Sequence, residues 1–286
     1  MGLLDRTVAY GRMIRFPHSV FALPFALTAA VLAAQRSGIT GGQVFWILVA
    51  MVAARSAAMG FNRLVDHAID ARNPRTAGRE LPSGVLARGE VLAFVGLSSA
   101  VFVLAAWMLN PLCLALSPVA LAIVFAYSYT KRLTSASHLV LGLALAVAPV
   151  GAWLAVRGRF DAVPVVLAVA VLLWVAGFDT LYACQDVDFD RGEGLHSLPA
   201  RLGVARSLWL ARGMHVGAVL VLLSLYWLAP LHPVYLVGVA AVAVLLAWEH
   251  TLVRPDDLSR VMEAFNLNGW VSLGFFVCTL VAVWLA

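Results

Sequence analysis

The sequence predicts an all-α, polytopic membrane protein. Three observations carry that reading. Of 286 residues, 62% are hydrophobic and only 12% are charged. The mean hydropathy is +0.91. The apolar residues come in repeated blocks as long as the roughly 20 residues that a bilayer-crossing helix needs. A soluble globular enzyme, about half apolar and a quarter charged, is excluded.

Reading from one polar or turn segment to the next places nine transmembrane helices, at residues 18–35, 43–61, 91–109, 112–129, 138–156, 163–183, 207–229, 233–249 and 267–286. The first follows Arg15-Phe16-Pro17-His18, and the second ends where Asn62 opens a polar stretch. The third and fourth meet at Asn110-Pro111, and the seventh and eighth at Pro230-Leu231-His232-Pro233. Both junctions lack Lys, Arg, Asp and Glu and read as helical hairpins. Gly142, Pro149 and Gly151 are expected to loosen or kink the fifth helix. The segment before the first span lacks the apolar core and cleavage site of a signal peptide and reads as mature sequence. Residues 1–286 are read as one domain.

Nineteen of the 20 cations are arginines scattered between apolar blocks, with no basic run and no interleaved aromatics, so nucleic acid is not expected. Assigning loops alternately puts 16 cations on one side and Arg36, Arg157 and Arg159 on the other, with Arg55 inside the second span. That bias predicts a multi-pass protein of the inner (cytoplasmic) membrane, its N-terminus in the cytoplasm and its C-terminus outside. Nearly every acid falls on the cytoplasmic side too, Asp161 being the clear exception. Cys113, Cys184 and Cys278 lie too far apart to suggest a disulfide framework or zinc site. Trp46, Trp107, Trp153, Trp209 and Trp227 stand near span ends and fit an interfacial belt. His138, His196, His215, His232 and His250 have no ligand spacing and receive no role.

Two acidic stripes carry the chemistry. In Asn62-Arg-Leu-Val-Asp66-His-Ala-Ile-Asp70, oxygen-bearing side chains recur every four residues and share one helical face. In the second, Asp179, Tyr182, Asp186 and Asp190 keep helical spacing while Asp188 turns away. Like charges four apart repel, and carboxylates at a membrane boundary are costly without a compensating charge. Magnesium is the simplest compensator, because it takes hard oxygen ligands and is commonly held by one or two carboxylates together with substrate phosphates. A lone D-x-x-x-D is more often a solvated face, but two on one side of the membrane point to a metal-diphosphate site. Arg63, Arg72, Arg75, Arg79, Lys131 and Arg132 are candidates to neutralise a diphosphate. Lys131, the only lysine, shares a face with Tyr127. Lys131 is equally readable as a topology signal, and for Arg75 and Arg79 spacing alone favours loop solvation or such a signal.

These residues resemble the UbiA superfamily of intramembrane aromatic prenyltransferases. The likeness runs along the chain: Arg15-Phe-Pro17-His18, Asn62-Arg-x-x-Asp66-x-x-x-Asp70, Asn73-Pro-Arg75-Thr76-x-x-Arg79-x-Leu-Pro82-x-Gly84, Tyr127-Ser-Tyr-Thr-Lys131-Arg132, and Asp179-Thr-x-Tyr182-Ala-x-x-Asp186-x-x-x-Asp190-x-x-x-Gly194-x-x-Ser197. It is most similar to the bacterial quinone-pathway branch, whose members prenylate 4-hydroxybenzoate or a dihydroxynaphthoate. The resemblance implies nine helices around a central cavity with Asp-rich cytoplasmic cap loops. It implies Mg²⁺ held by Asn62, Asp66, Asp70, Asp186 and Asp190, and a diphosphate contacted by Lys131, Tyr127 and Arg72 or Arg75. Asp179 and Tyr182 would line the acceptor's side, and Arg15 with His18 suits an acceptor carboxylate, an anchoring role for the first helix being the competing account. The implied reaction is Mg²⁺-dependent electrophilic aromatic substitution, with an isoprenyl diphosphate, an aromatic acid and the lipid bilayer as partners and no protein partner. A CDP-alcohol phosphotransferase concentrates its acids in one motif, and a secondary transporter places them deep in the bundle. The two separate motifs here favour neither.

Overall fold

A computed structural model describes residues 3–14 and 21–286. An amphipathic α1 (Leu3–Met13) precedes α2 (Leu23–Ser37), α3 (Gly41–Arg72), α4 (Arg88–Leu109), α5 (Pro111–Thr130), α6 (Ser137–Arg157) and α7 (Ala162–Ala183). A 3₁₀ turn at Cys184–Asp186 leads into the short α8 (Val187–Gly192) and α9 (Leu198–Leu202). Three long helices follow: α10 (Val204–Leu228), α11 (Val234–Leu252) and α12 (Val261–Trp284). Among the described residues there is no strand, and eight helical segments are long and apolar enough to cross a membrane. The chain is an all-α, multi-pass membrane protein.

The remaining expected span, 18–35, is α2, with 15 helical residues. Pro24 sits in its first turn, where a missing N–H costs nothing, and Gly38 stops it with φ +69°. The short α1 has no counterpart among the expected spans. Its one-sided apolar face is too brief to register as membrane-crossing: Ala9 and Met13 are buried while Asp5, Arg6 and Arg12 are exposed.

The described helices fall into two compact units. The first holds α1, α3, α4 and α5. Ala9, Met13 and Ile14 pack with Leu81, Leu86 and Val91, so α1 covers the connection between α3 and α4. Glu90 caps α4 by accepting from Ala87 N–H at 2.9 Å and pairs with Arg6 at 2.8 Å. The rings of Phe61 of α3 and Phe125 of α5 pack tilted against each other, their centroids 4.5 Å apart.

The second unit is a closed ring of six helices, in which α7 packs on α6 and α10, α6 on α2, α2 on α12, α12 on α11, and α11 on α10. Trp174 of α7 ties the ring together. Its Nε1–H donates to Asn268 Oδ1 of α12 at 2.6 Å, and its carbonyl is 3.2 Å from His215 Nε2 of α10. Asn268 in turn donates to the buried Glu249 of α11 at 3.2 Å. Trp107, Trp209 and Trp227 are exposed as a belt requires, but Trp153 is only 3% exposed. It lies inside because its Nε1–H donates to Asp161 at 3.1 Å.

Gly142 is a contact glycine: a Cβ there would strike the Leu172 carbonyl of α7, whereas a Cβ at Gly151 meets nothing. We therefore expect Gly142→Val to force α6 from α7 and destabilise the protein by about 1–3 kcal/mol, lowering its thermal unfolding midpoint in detergent, while Gly151→Ala leaves the midpoint unchanged. Equal midpoints for Gly142→Val and wild type would contradict this packing.

Candidate active site

In the first unit, α3 continues beyond its apolar stretch and carries the whole first stripe as regular helix, so Asn62, Asp66 and Asp70 do share a face. Asn62 Nδ2 donates to Asp66 Oδ2 at 2.8 Å, which steadies a half-exposed carboxylate. Asp70 is 6% exposed. Arg79 compensates it, Nη1 standing 2.8 Å from Oδ1 and 2.7 Å from Oδ2, with Arg63 Nη1 at 3.9 Å. The turn after α3 brings Arg79 back: Asn73 Oδ1 accepts from Arg75 N–H at 2.9 Å, and Thr76 Oγ1 donates to the Asp70 carbonyl at 3.0 Å. The charge next to Asp70 is thus Arg79, while Arg72 and Arg75 are exposed. Arg55 is half-buried in α3, on the face of Asn62 and two turns deeper. Tyr127 is half-buried near the end of α5.

In the second unit, the second stripe is not one regular helix. The 3₁₀ turn interrupts it, so Asp186 ends that turn and Asp190 lies in α8. Both are buried, at 6% and 2% exposure, while Asp188 is exposed. Lys131 Nζ is 3.8 Å from Asp190 Oδ2, a buried oxygen without a hydrogen-bond partner. The same loop that carries Lys131 is strapped to the segment after α8, for His196 N–H donates to the Lys131 carbonyl at 2.7 Å. Tyr182 packs its ring on Phe265 of α12 at 4.8 Å. Asp179 meets His138 Nδ1 at 2.6 Å. Spacing gives His138 no role, because no periodicity links it to Asp179, 41 residues away on another helix.

Arg15 and His18 lie outside the described residues. The α11–α12 connection is a self-contained exposed turn, with Arg254 and Asp257 exchanging backbone hydrogen bonds. Ser259 donates its hydroxyl and its N–H to the Asp257 carboxylate, at 2.6 and 3.0 Å, holding that group below the usual carboxylate range. A cavity of about 220 Å³ in the second unit lies at the other helix ends, near Gln35, Trp153, Asp161 and Pro230, away from the motif.

Among the described residues no three His, Cys, Asp or Glu side chains form a closed metal cage. The donors nonetheless suit Mg²⁺, which prefers hard oxygens and completes its shell with phosphates and water rather than protein alone. The buried, hydrogen-bond-free Asp190 Oδ2 is such a donor.

Comparison with known proteins supplies the class. The profile of the UbiA prenyltransferase family matches residues 22–285. A Vibrio parahaemolyticus protein named 4-hydroxybenzoate octaprenyltransferase is 31% identical over 291 residues, covering 98% of this chain and 99% of that relative. The apo structure of a UbiA homolog from Aeropyrum pernix K1 has a TM-score of 0.85 at 35% identity, over 93% of this chain and 98% of that one. A UbiA homolog from Archaeoglobus fulgidus bound to DMAPP and Mg²⁺ scores 0.73 at 16% identity, over 95% and 99%, a likeness of fold. The chain belongs to the UbiA prenyltransferase family, and it is a membrane-embedded prenyltransferase.

Removing Arg79 would leave Asp70 with only the longer Arg63 contact. Stripping one partner from a fully buried pair costs about 3–5 kcal/mol. Arg79 is 19% exposed, so screening reduces that to about 1–3 kcal/mol. Arg79→Met is expected to lower the detergent unfolding midpoint accordingly, and Asp70→Asn added to it to recover part of the loss. Wild-type stability in Arg79→Met would contradict the pairing.

Proposed function

We propose that the chain transfers a polyprenyl group from an isoprenyl diphosphate to an aromatic acid, 4-hydroxybenzoate or a dihydroxynaphthoate, in ubiquinone or menaquinone biosynthesis. The observation that supports it most is the likeness, over nearly the full length of both chains, to a 4-hydroxybenzoate octaprenyltransferase. The placement of carboxylates at the ends of apolar helices agrees with this reading, since a lipid-soluble donor with an anionic head needs both surroundings. The excess of arginines on one side supports an N-terminus in the cytoplasm, with the motifs at the cytoplasmic face of the inner membrane.

Asn62, Asp66, Asp186 and Asp190 would hold Mg²⁺, with Asp70, its carboxylate fixed by Arg79, as a further oxygen donor. When bound, the ion supplies positive charge against which the departing diphosphate is stabilised. The chain's own groups do the rest. Lys131, Tyr127 and Arg72 or Arg75 neutralise or donate to diphosphate oxygens. As the prenyl C–O bond breaks, its electron pair leaves with the diphosphate. The apolar helices keep water from the allylic cation, and aromatic faces shelter it. The ring carbon ortho to the acceptor hydroxyl forms the new C–C bond, and its proton passes to a base, restoring aromaticity. Asp179 and Tyr182 stand on the acceptor's side, and Arg15 serves the acceptor carboxylate.

The test incubates purified protein, labelled geranyl diphosphate, Mg²⁺ and each acceptor, and identifies the product by mass. A C-prenylated aromatic acid that disappears with EDTA is the expected result, and no prenylated product from any acceptor would overturn the proposal. Asp66→Asn and Asp186→Asn should each cut turnover by about 100-fold or more while still inserting in the membrane. Full activity in either purified variant would refute the assignment of these aspartates.

A further inference from the structure

A histidine beginning an apolar helix is ordinarily an exposed, hydrated residue. His138, in the first turn of α6, is fully buried at 0% exposure, and both its ring nitrogens are engaged. Leu198 N–H, at the start of α9, is 3.3 Å from Nε2. An amide N–H only donates, so Nε2 is the acceptor and the ring proton sits on Nδ1. That proton faces Asp179 Oδ2 across 2.6 Å, the short separation of a charge-assisted hydrogen bond. The Asp179 side chain keeps 16% exposure, and its second oxygen, Oδ1, is left for another donor. Neighbouring bonds hold the arrangement in place: Ser137 Oγ donates to the His196 carbonyl at 3.4 Å, and His196 N–H binds the Lys131 carbonyl. Ser197 Oγ caps α9 by accepting from Ala200 N–H at 3.3 Å. One loop therefore sets the histidine's tautomer and also holds the backbone of the lysine beside Asp190.

We propose that His138 is a positioning residue for Asp179: locked in its Nδ1–H form by Leu198, it orients the Asp179 carboxylate so that Oδ1 accepts the hydroxyl proton of the aromatic acceptor. The proposal rests on the aromatic-acid reading above, and it adds a residue through which the chain recognises the acceptor independently of the prenyl donor. A histidine that served only to staple α6 to α7 would affect both substrates alike; one that orients Asp179 acts on the acceptor.

The experiment is steady-state kinetics with geranyl diphosphate, 4-hydroxybenzoate and Mg²⁺ on wild type, His138→Phe and His138→Asn. Phe keeps the ring and removes both polar contacts, while Asn sets an amide N–H where Nδ1 stands. The proposal expects His138→Phe to raise the acceptor KM about tenfold, the scale of one lost hydrogen bond, with the donor KM within about twofold. It expects His138→Asn to return the acceptor KM to within about threefold of wild type. An unchanged acceptor KM in His138→Phe, parallel rises in both KM values, or a His138→Asn no better than His138→Phe would overturn it. Should His138→Phe fail to insert, His138→Asn decides alone, and its inactivity overturns the proposal. No product from wild type would refute the transferase reading only. In that case ¹⁵N-histidine spectra decide: a protonated Nδ1 that shifts in Asp179→Asn supports the pairing, and a protonated Nε2 contradicts it.

Discussion

Carboxylates placed at the ends of apolar helices must be compensated, because neither lipid nor a dry helix interface can solvate a bare negative charge. Every described motif aspartate except the exposed Asp188 is buried or half-buried. Asp70 has Arg79 and Arg63, Asp66 has the Asn62 amide, Asp190 has Lys131 at longer range, and Asp179 has the His138 ring. Compensation is uneven, and the unevenness is informative. Asp70 is tightly paired, which suits a supporting role, whereas Asp190 retains a buried oxygen with only a distant cation, which suits a group awaiting a ligand.

Holding such groups in register falls to the helix that carries them. In the six-helix ring, α7 is gripped on several sides: Gly142 lets α6 approach its backbone, Gly177 makes room for the His215 ring, and Trp174 reaches Asn268 and, through it, Glu249. These contacts lie about half a turn to two turns before Asp179 on α7, so they fix the stretch of helix that carries it. The break at Cys184–Asp186 then re-aims the last two aspartates after the close-packed portion has ended.

The long spans were legible because apolar runs bounded by Asn-Pro, Pro-x-x-Pro and Arg-rich segments admit little else in a bilayer. The first stripe was legible for the same reason, its helix continuing unbroken. The second departs from its helical period in one respect, a 3₁₀ turn at Cys184–Asp186 that no spacing announces. Short α1 escaped notice, being too brief for a span and held by tertiary contact with Leu81 and Leu86. Trp153 has the position of a belt residue, near a span end, but its indole turns inward to donate to Asp161. Partnerships between distant positions, His138 with Asp179 and Arg79 folding back on Asp70, arise from helix packing and turn geometry, to which periodicity is blind.

The proposed function rests on one reading, that the two aspartate rows serve one diphosphate through divalent metal. Titrating Mn²⁺ in place of Mg²⁺, followed by electron paramagnetic resonance with and without geranyl S-thiolodiphosphate, a donor that does not react, tests it most directly. Tight Mn²⁺ binding that appears only with the diphosphate, and that vanishes when an aspartate of either row is neutralised, is the predicted result. Binding that survives neutralisation of one row would show that the rows act on separate ligands and would contradict the account.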